Sequence, residues 1–137
     1  MARALLIDDE RDIAHVMRLL LEARGHEVFI AEDGSRGLAL AQRQKPDVIV
    51  LDLMMPVMDG FNSLESLQAD PRTENIPVIV LSAMQPEQAE QRCHAMGARA
   101  YVRKPFDADM LVGIIEEIAQ EHSAATPNPA IGHLTRR

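Results

Sequence analysis

Five short apolar runs, each followed by a segment of helical periodicity, constrain this chain more than any other feature. Ala4-Leu5-Leu6-Ile7, Val28-Phe29-Ile30, Val48-Ile49-Val50-Leu51, Val78-Ile79-Val80-Leu81 and Ala100-Tyr101-Val102 are strand-length and dominated by aliphatic residues. Strand and helix alternating five times is the pattern of repeated βαβ units around a parallel sheet. Strands are expected at about residues 3–7, 27–30, 47–51, 76–81 and 99–102, and helices at about 11–24, 35–44, 61–69, 86–96 and 107–121. The punctuation agrees. Gly25 follows the first helix, where a left-handed residue is favoured, and Lys45-Pro46 stops the second. Pro86 opens the fourth helix at a favoured first position and Gly97 closes it. The third run, apolar throughout, reads as buried on both faces; the second, flanked by charge, reads as an edge. Ser123 to Arg137 contains Pro127, Pro129 and Gly132 with no periodicity, so the expected organisation is one domain over 1–122 and a flexible tail over 123–137.

A parallel sheet of this kind decides where chemistry can gather. Groups just beyond the carboxyl ends of the strands converge on one crevice. Asp8-Asp9-Glu10 follow the first run, Asp52 the third, Ser82 the fourth and Lys104-Pro105 the fifth. The carboxylates of Asp8, Asp9 and Asp52, a hydroxyl and an ammonium brought together suit a divalent cation and a phosphoryl group. Asp8 and Asp9 could serve simply as helix caps, but capping does not call for two carboxylates beside a third.

Composition narrows the partners. The chain has 137 residues and a net charge of −7; the tail carries Arg136 and Arg137, so the domain before it stands at −9. Such a domain repels nucleic acid and anionic membrane, which are bound by neutralising phosphates with Lys and Arg. No apolar run approaches the roughly 20 residues that span a bilayer, and the start of the chain has no leader pattern. The single cysteine, Cys93, excludes an internal disulfide and fits a reducing cytoplasm; it reads as a small buried helix residue. His15, His26, His94, His122 and His133 show no ligand spacing.

Together the acidic pair Asp8-Asp9, the segment Leu51-Asp52-Leu53-Met54-Met55-Pro56-Val57-Met58-Asp59-Gly60, Ser82-Ala83 and Lys104-Pro105-Phe106, each after its own strand, resemble the receiver domain of two-component response regulators. The resemblance covers about residues 1–122 and is to the stand-alone, chemotaxis-type single-domain regulators. It implies a flavodoxin-like (βα)5 three-layer α/β sandwich with strand order 2-1-3-4-5. It implies that Asp52 is the phosphorylated nucleophile, and that Asp9 and Asp52 ligate Mg²⁺ directly, Asp8 through water and Met54 through its backbone carbonyl. Lys104 would pair with the phosphoryl oxygens, behind a cis bond to Pro105. Ser82 would hydrogen-bond the phosphoryl group, and Tyr101 would be the switch aromatic whose ring moves as Ser82 shifts. The switched surface is then helix four, strand five and helix five. The implied partners are a sensor histidine kinase or histidine phosphotransfer protein, docking beside helix one, and a downstream effector. A phosphorylation-dependent homodimer is allowed, with no direct nucleic acid and no membrane. The chain would be no enzyme beyond its own phosphorylation and autodephosphorylation.

Met54 and Met84, two residues past Asp52 and Ser82, are apolar where fast-cycling members of that family carry polar or acidic groups that can orient the hydrolytic water, which implies slow autodephosphorylation. Other readings are weaker. A phosphatase of the haloacid-dehalogenase type wants a second aspartate at the position of Met54 and a cap domain. A DNA-binding factor needs a domain not present in this sequence. An unphosphorylated scaffold, or the receiver fragment of a larger regulator, is the alternative to the stand-alone switch.

Overall fold

The computed structural model describes residues 1–53 and 60–125. Its elements run β1 Arg3–Ile7, α1 Arg11–Ala23, β2 Glu27–Ala31, α2 Gly34–Gln44, β3 Val48–Asp52, α3 Gly60–Ala69, β4 Val78–Ser82, α4 Pro86–Ala95, β5 Ala100–Arg103 and α5 Ala108–Ala125. The five strands form one parallel sheet in the order β2-β1-β3-β4-β5. The flavodoxin-like three-layer order is therefore present, with β2 at an edge and β3 buried along its whole length.

Alternation along the strands builds two cores. Leu5, Ile7, Ile49, Leu51, Val78 and Val80 point to one face and meet Ala41 of α2, Leu64 and Leu67 of α3, and Ala89 and Cys93 of α4. Ala4, Leu6, Val48, Val50, Ile79 and Leu81 point to the other and meet Met17 and Leu21 of α1 and Leu111, Ile115 and Ile118 of α5. Each fully buried aliphatic side chain stabilises the fold by about 1.5–3 kcal/mol, so the central strands are the least movable part of the molecule. Helix α4 is held differently. Among the described residues it buries only the small side chains of Ala89 and Cys93, with the Arg92 guanidinium 3.7 Å from the centre of the Phe61 ring.

The structure departs from the sequence expectations at element ends. β3 and β4 each run one residue further than expected, so Asp52 and Ser82 are the last residues of their strands rather than the first beyond them. Leu53 N–H still donates to the Leu81 carbonyl at 2.8 Å, which extends the ladder past Asp52. α5 continues to Ala125, so residues 123–125, expected as tail, are helical; residues 126–137 lie outside the described residues. Lys45 closes α2 in a left-handed conformation, φ 48 and ψ 62, with its N–H on the Ala41 carbonyl at 3.0 Å. The gain is a satisfied helix end, which outweighs the extended preference of a residue before proline. Gly25 at φ 88 takes the left-handed role expected of it, and Gly97, just past the end of α4, has φ 102. Among the described residues, no helix is long and apolar enough to cross a membrane.

Gly60 starts α3 pressed against the end of β3. A β-carbon there would lie 2.4 Å from both Cα and the carbonyl oxygen of Leu53. Backbone cannot yield as a side-chain tip can. Gly60→Ala should therefore destabilise the protein by about 2–3 kcal/mol, read as a lower urea midpoint at unchanged slope, and displace the strand end that carries Asp52.

Candidate functional site

Asp8, Asp52, Ser82 and Lys104 reach one end of the sheet because their strands are parallel and in register. Ile7 pairs with Leu51, Asp52 with Leu81 and Ser82 with Arg103, so the four strand ends finish at one level. Asp8, Asp52 and Ser82 are 5%, 1% and 0% exposed. Two carboxyl groups so far from water need partners.

Lys104 supplies part of that need. Its Nζ lies 3.2 Å from Asp52 Oδ2 and 3.0 Å from Glu10 Oε1. Its backbone N–H donates to the Ser82 carbonyl at 2.8 Å, tying the start of the β5–α5 connection to the end of β4. The Lys104–Pro105 bond is cis. Burial works against the ammonium, but hydrogen bonds to Glu10 and Asp52 and the charge of Asp52 outweigh it and raise its pKa.

Asp8 shows the opposite balance. Loss of water raises its carboxyl from 3.8 to about 7. The Glu10 N–H, donating to Asp8 Oδ1 at 2.8 Å, opposes the rise, while the neighbouring Asp52 carboxylate adds to it. Three acids against one lysine leave the cleft formally at −2 when all are ionised.

Carboxylate oxygens of Asp8, Glu10 and Asp52 all lie within 4.8 Å of one another. Hard oxygen donors, few in number and with uncompensated charge, fit Mg²⁺, which is held by one or two carboxylates plus water and phosphate oxygens. The expected ligand set was Asp8, Asp9, Asp52 and the Met54 carbonyl. In the structure Asp9 is exposed and is not in this group, while Glu10, given no role from the sequence, is. Met54 lies outside the described residues. The one sequence signal for Glu10 was its place as the third acid in Asp8-Asp9-Glu10, and an acid at a helix start is commonly just solvated.

Ser82 and Tyr101 are joined through one turn. Ser82 Oγ accepts the Met84 N–H at 3.0 Å, and the Tyr101 hydroxyl donates to the Met84 carbonyl at 2.8 Å. The Tyr101 ring is half-buried and packs against the α2–α4 core. Cys93 is fully buried and its thiol is pushed up by burial, so it is a packing residue.

Beside the cleft, Ile13, Val16 and Met17 of α1 with Pro105, Phe106 and Ala108 line an apolar groove of about 570 Å³ whose rim includes Glu10 and Lys104.

Comparison with known proteins agrees with this arrangement. Residues 4–116 match the response regulator receiver domain family. Protein PilH of Pseudomonas aeruginosa is 37% identical over 118 residues, covering 86% of this chain and 98% of PilH. The DNA-binding dual master transcriptional regulator RpaA of Synechocystis is 39% identical, but there the chain spans only 49% of the relative's length. Among solved structures, the receiver domain of sensor histidine kinase PA1611 from Pseudomonas aeruginosa, with a magnesium ion coordinated in its active site cleft, superposes with a TM-score of 0.76 at 28% identity, covering 87% of this chain and 98% of that one. With five parallel strands in the order 2-1-3-4-5 and the buried acidic cleft at their carboxyl ends, this chain belongs to the response regulator receiver domain family.

Proposed function

We propose that the chain is a Mg²⁺-dependent phosphoacceptor that takes a phosphoryl group onto Asp52 from a partner histidine kinase or histidine phosphotransfer protein. The observation that carries this reading is a carboxylate 1% exposed at the end of the central strand, faced by an ammonium at 3.2 Å. An Asp52 oxygen forms the new bond to phosphorus as the bond from phosphorus to the donor's imidazole nitrogen breaks, and the imidazole keeps the electron pair. Asp9 and Asp52 directly and Asp8 through water, as the family resemblance implies, would hold the metal, which when bound offsets charge on the transferring phosphoryl oxygens. Lys104 follows those oxygens as a mobile point charge on its long stem. The Ser82 O–H donates to the acyl phosphate once its turn has moved inward, and that shift reaches Tyr101 through Met84. The downstream effector reads the α4–β5–α5 surface, a population shift driven by contacts the phosphoryl group makes in one state only. On this reading the chain turns over no substrate besides its own acyl phosphate.

Acetyl phosphate with Mg²⁺ should add about 80 Da, one phosphoryl group, to the intact chain. Asp52→Asn should abolish the gain. A gain that survives in the variant, or none in wild type together with no beryllofluoride binding, overturns the reading.

Met84 lies against the turn that holds Ser82 and offers no polar side chain to a hydrolytic water. The acyl phosphate is therefore expected to last minutes or longer, and Met84→Asn to shorten its life. A wild-type lifetime of seconds contradicts this.

Asp8 makes the metal-free protein sensitive to pH. Its folded carboxyl keeps a proton up to about 7, whereas the unfolded chain releases it near 3.8. Between those values the folded state binds more protons, so this group's contribution makes stability fall as pH rises through the window. Asp8→Asn should stabilise the metal-free protein at pH 8 by on the order of a few kcal/mol, with the gain vanishing near pH 4. Urea denaturation at both pH values checks this, and the same variant should bind Mg²⁺ more weakly by calorimetry.

A further inference from the structure

Glu10 is the N-cap of α1, a position where a side-chain oxygen commonly accepts the first helical N–H groups. Here its side chain makes no cap hydrogen bond. Its backbone is pinned instead: the N–H donates to Asp8 Oδ1 at 2.8 Å and the carbonyl accepts the Ala14 N–H at 3.1 Å. From that fixed base the carboxylate reaches across the cleft to Lys104, 94 residues away, with Oε1 to Nζ at 3.0 Å. Lys104 is thus shared between two acids of different character. Asp52 is buried and would carry the phosphoryl group, whereas the Glu10 side chain is 53% exposed at the mouth.

An interaction made in one state and lost in the other stabilises the first by its own free energy. A phosphoryl group on Asp52 brings negative oxygens between Asp52 and the cleft mouth, and Lys104 must turn to them. The Glu10 carboxylate gains nothing from that group, since like charges repel.

We propose that Glu10 is a positioning residue, a latch that holds the Lys104 ammonium in the resting cleft and must be released for phosphoryl loading. Glu10 therefore sets how strongly the unloaded state is favoured. The inference rests on the phosphoacceptor reading of Asp52. Because the pair is partly exposed, its effect is modest, about two- to fivefold in the loading equilibrium.

The test compares wild type, Glu10→Gln and Glu10→Asp by Mg²⁺-dependent beryllofluoride affinity at saturating Mg²⁺. Glu10→Asp keeps the charge but is one methylene too short to hold Nζ from a pinned backbone. The latch predicts that both variants bind beryllofluoride about two- to fivefold more tightly than wild type. A Glu10→Asp variant with wild-type affinity beside a tighter Glu10→Gln would reduce Glu10 to its bulk charge and overturn the latch. Unchanged affinity in both overturns it as well.

A second readout looks at the lysine itself. The chain has two lysines, Lys45 and Lys104, so carbon-13 labelling of lysine gives two side-chain signals, one a built-in control. The geminal Hε protons of Lys104 should be inequivalent in wild type and move toward equivalence in both variants, with those of Lys45 unchanged. No change at Lys104 sinks the latch whatever the affinities do. Absence of beryllofluoride binding by wild type, together with no mass gain from acetyl phosphate, would instead overturn the phosphoacceptor reading, an outcome distinct from loss of the latch.

Discussion

Burial of Asp52 at the end of β3 strips its carboxylate of water, and the surroundings of the cleft are arranged around that cost. A charged acid in such a place persists only with paired charge and hydrogen bonds. Lys104 comes within 3.2 Å to meet it, and Lys104 is in turn fixed by its backbone bond to Ser82 and its ammonium bond to Glu10. Asp8, a second acid in the same dry corner, answers by holding its proton to about 7. One buried charge thus enlists residues from β1, β3, β4 and β5.

The turn after β4 joins the cleft to β5 at the edge of the sheet. Ser82 is fully buried and bonded to the Met84 N–H, and Met84 passes its carbonyl to Tyr101. A shift of Ser82 therefore cannot leave the tyrosine hydroxyl undisturbed. The two fully buried central strands offer a rigid frame, and α4, lightly packed, is the compliant element beside it.

Much of this was legible in the residues. Apolar runs such as Val48-Ile49-Val50-Leu51 declare strands, because only a strand buries so short a run on both faces, and the acids and lysine that follow them share a crevice by the geometry of parallel sheets. Strand order was not derivable that way; it came through the resemblance. Strand ends were misjudged by a residue at Asp52 and Ser82, since polar side chains look like loop while their backbones still bond the ladder. Glu10 escaped because its partner is Lys104, 94 residues away, and no local pattern encodes a contact of that range. Lys45 escaped because satisfying the Ala41 carbonyl outweighed its own backbone preference. The helical start of the supposed tail escaped because Ser123-Ala124-Ala125 carries no apolar stripe of its own, only the momentum of α5.

Cys93 has one more consequence. It is the only thiol in the chain, it sits with 0% exposure on α4, which among the described residues buries only small side chains, and burial raises its pKa. A thiol reagent can reach it only when α4 lifts from the sheet. The rate of its modification in the native protein is therefore a clock for that opening, and the molecule carries its own reporter of how often α4 comes loose.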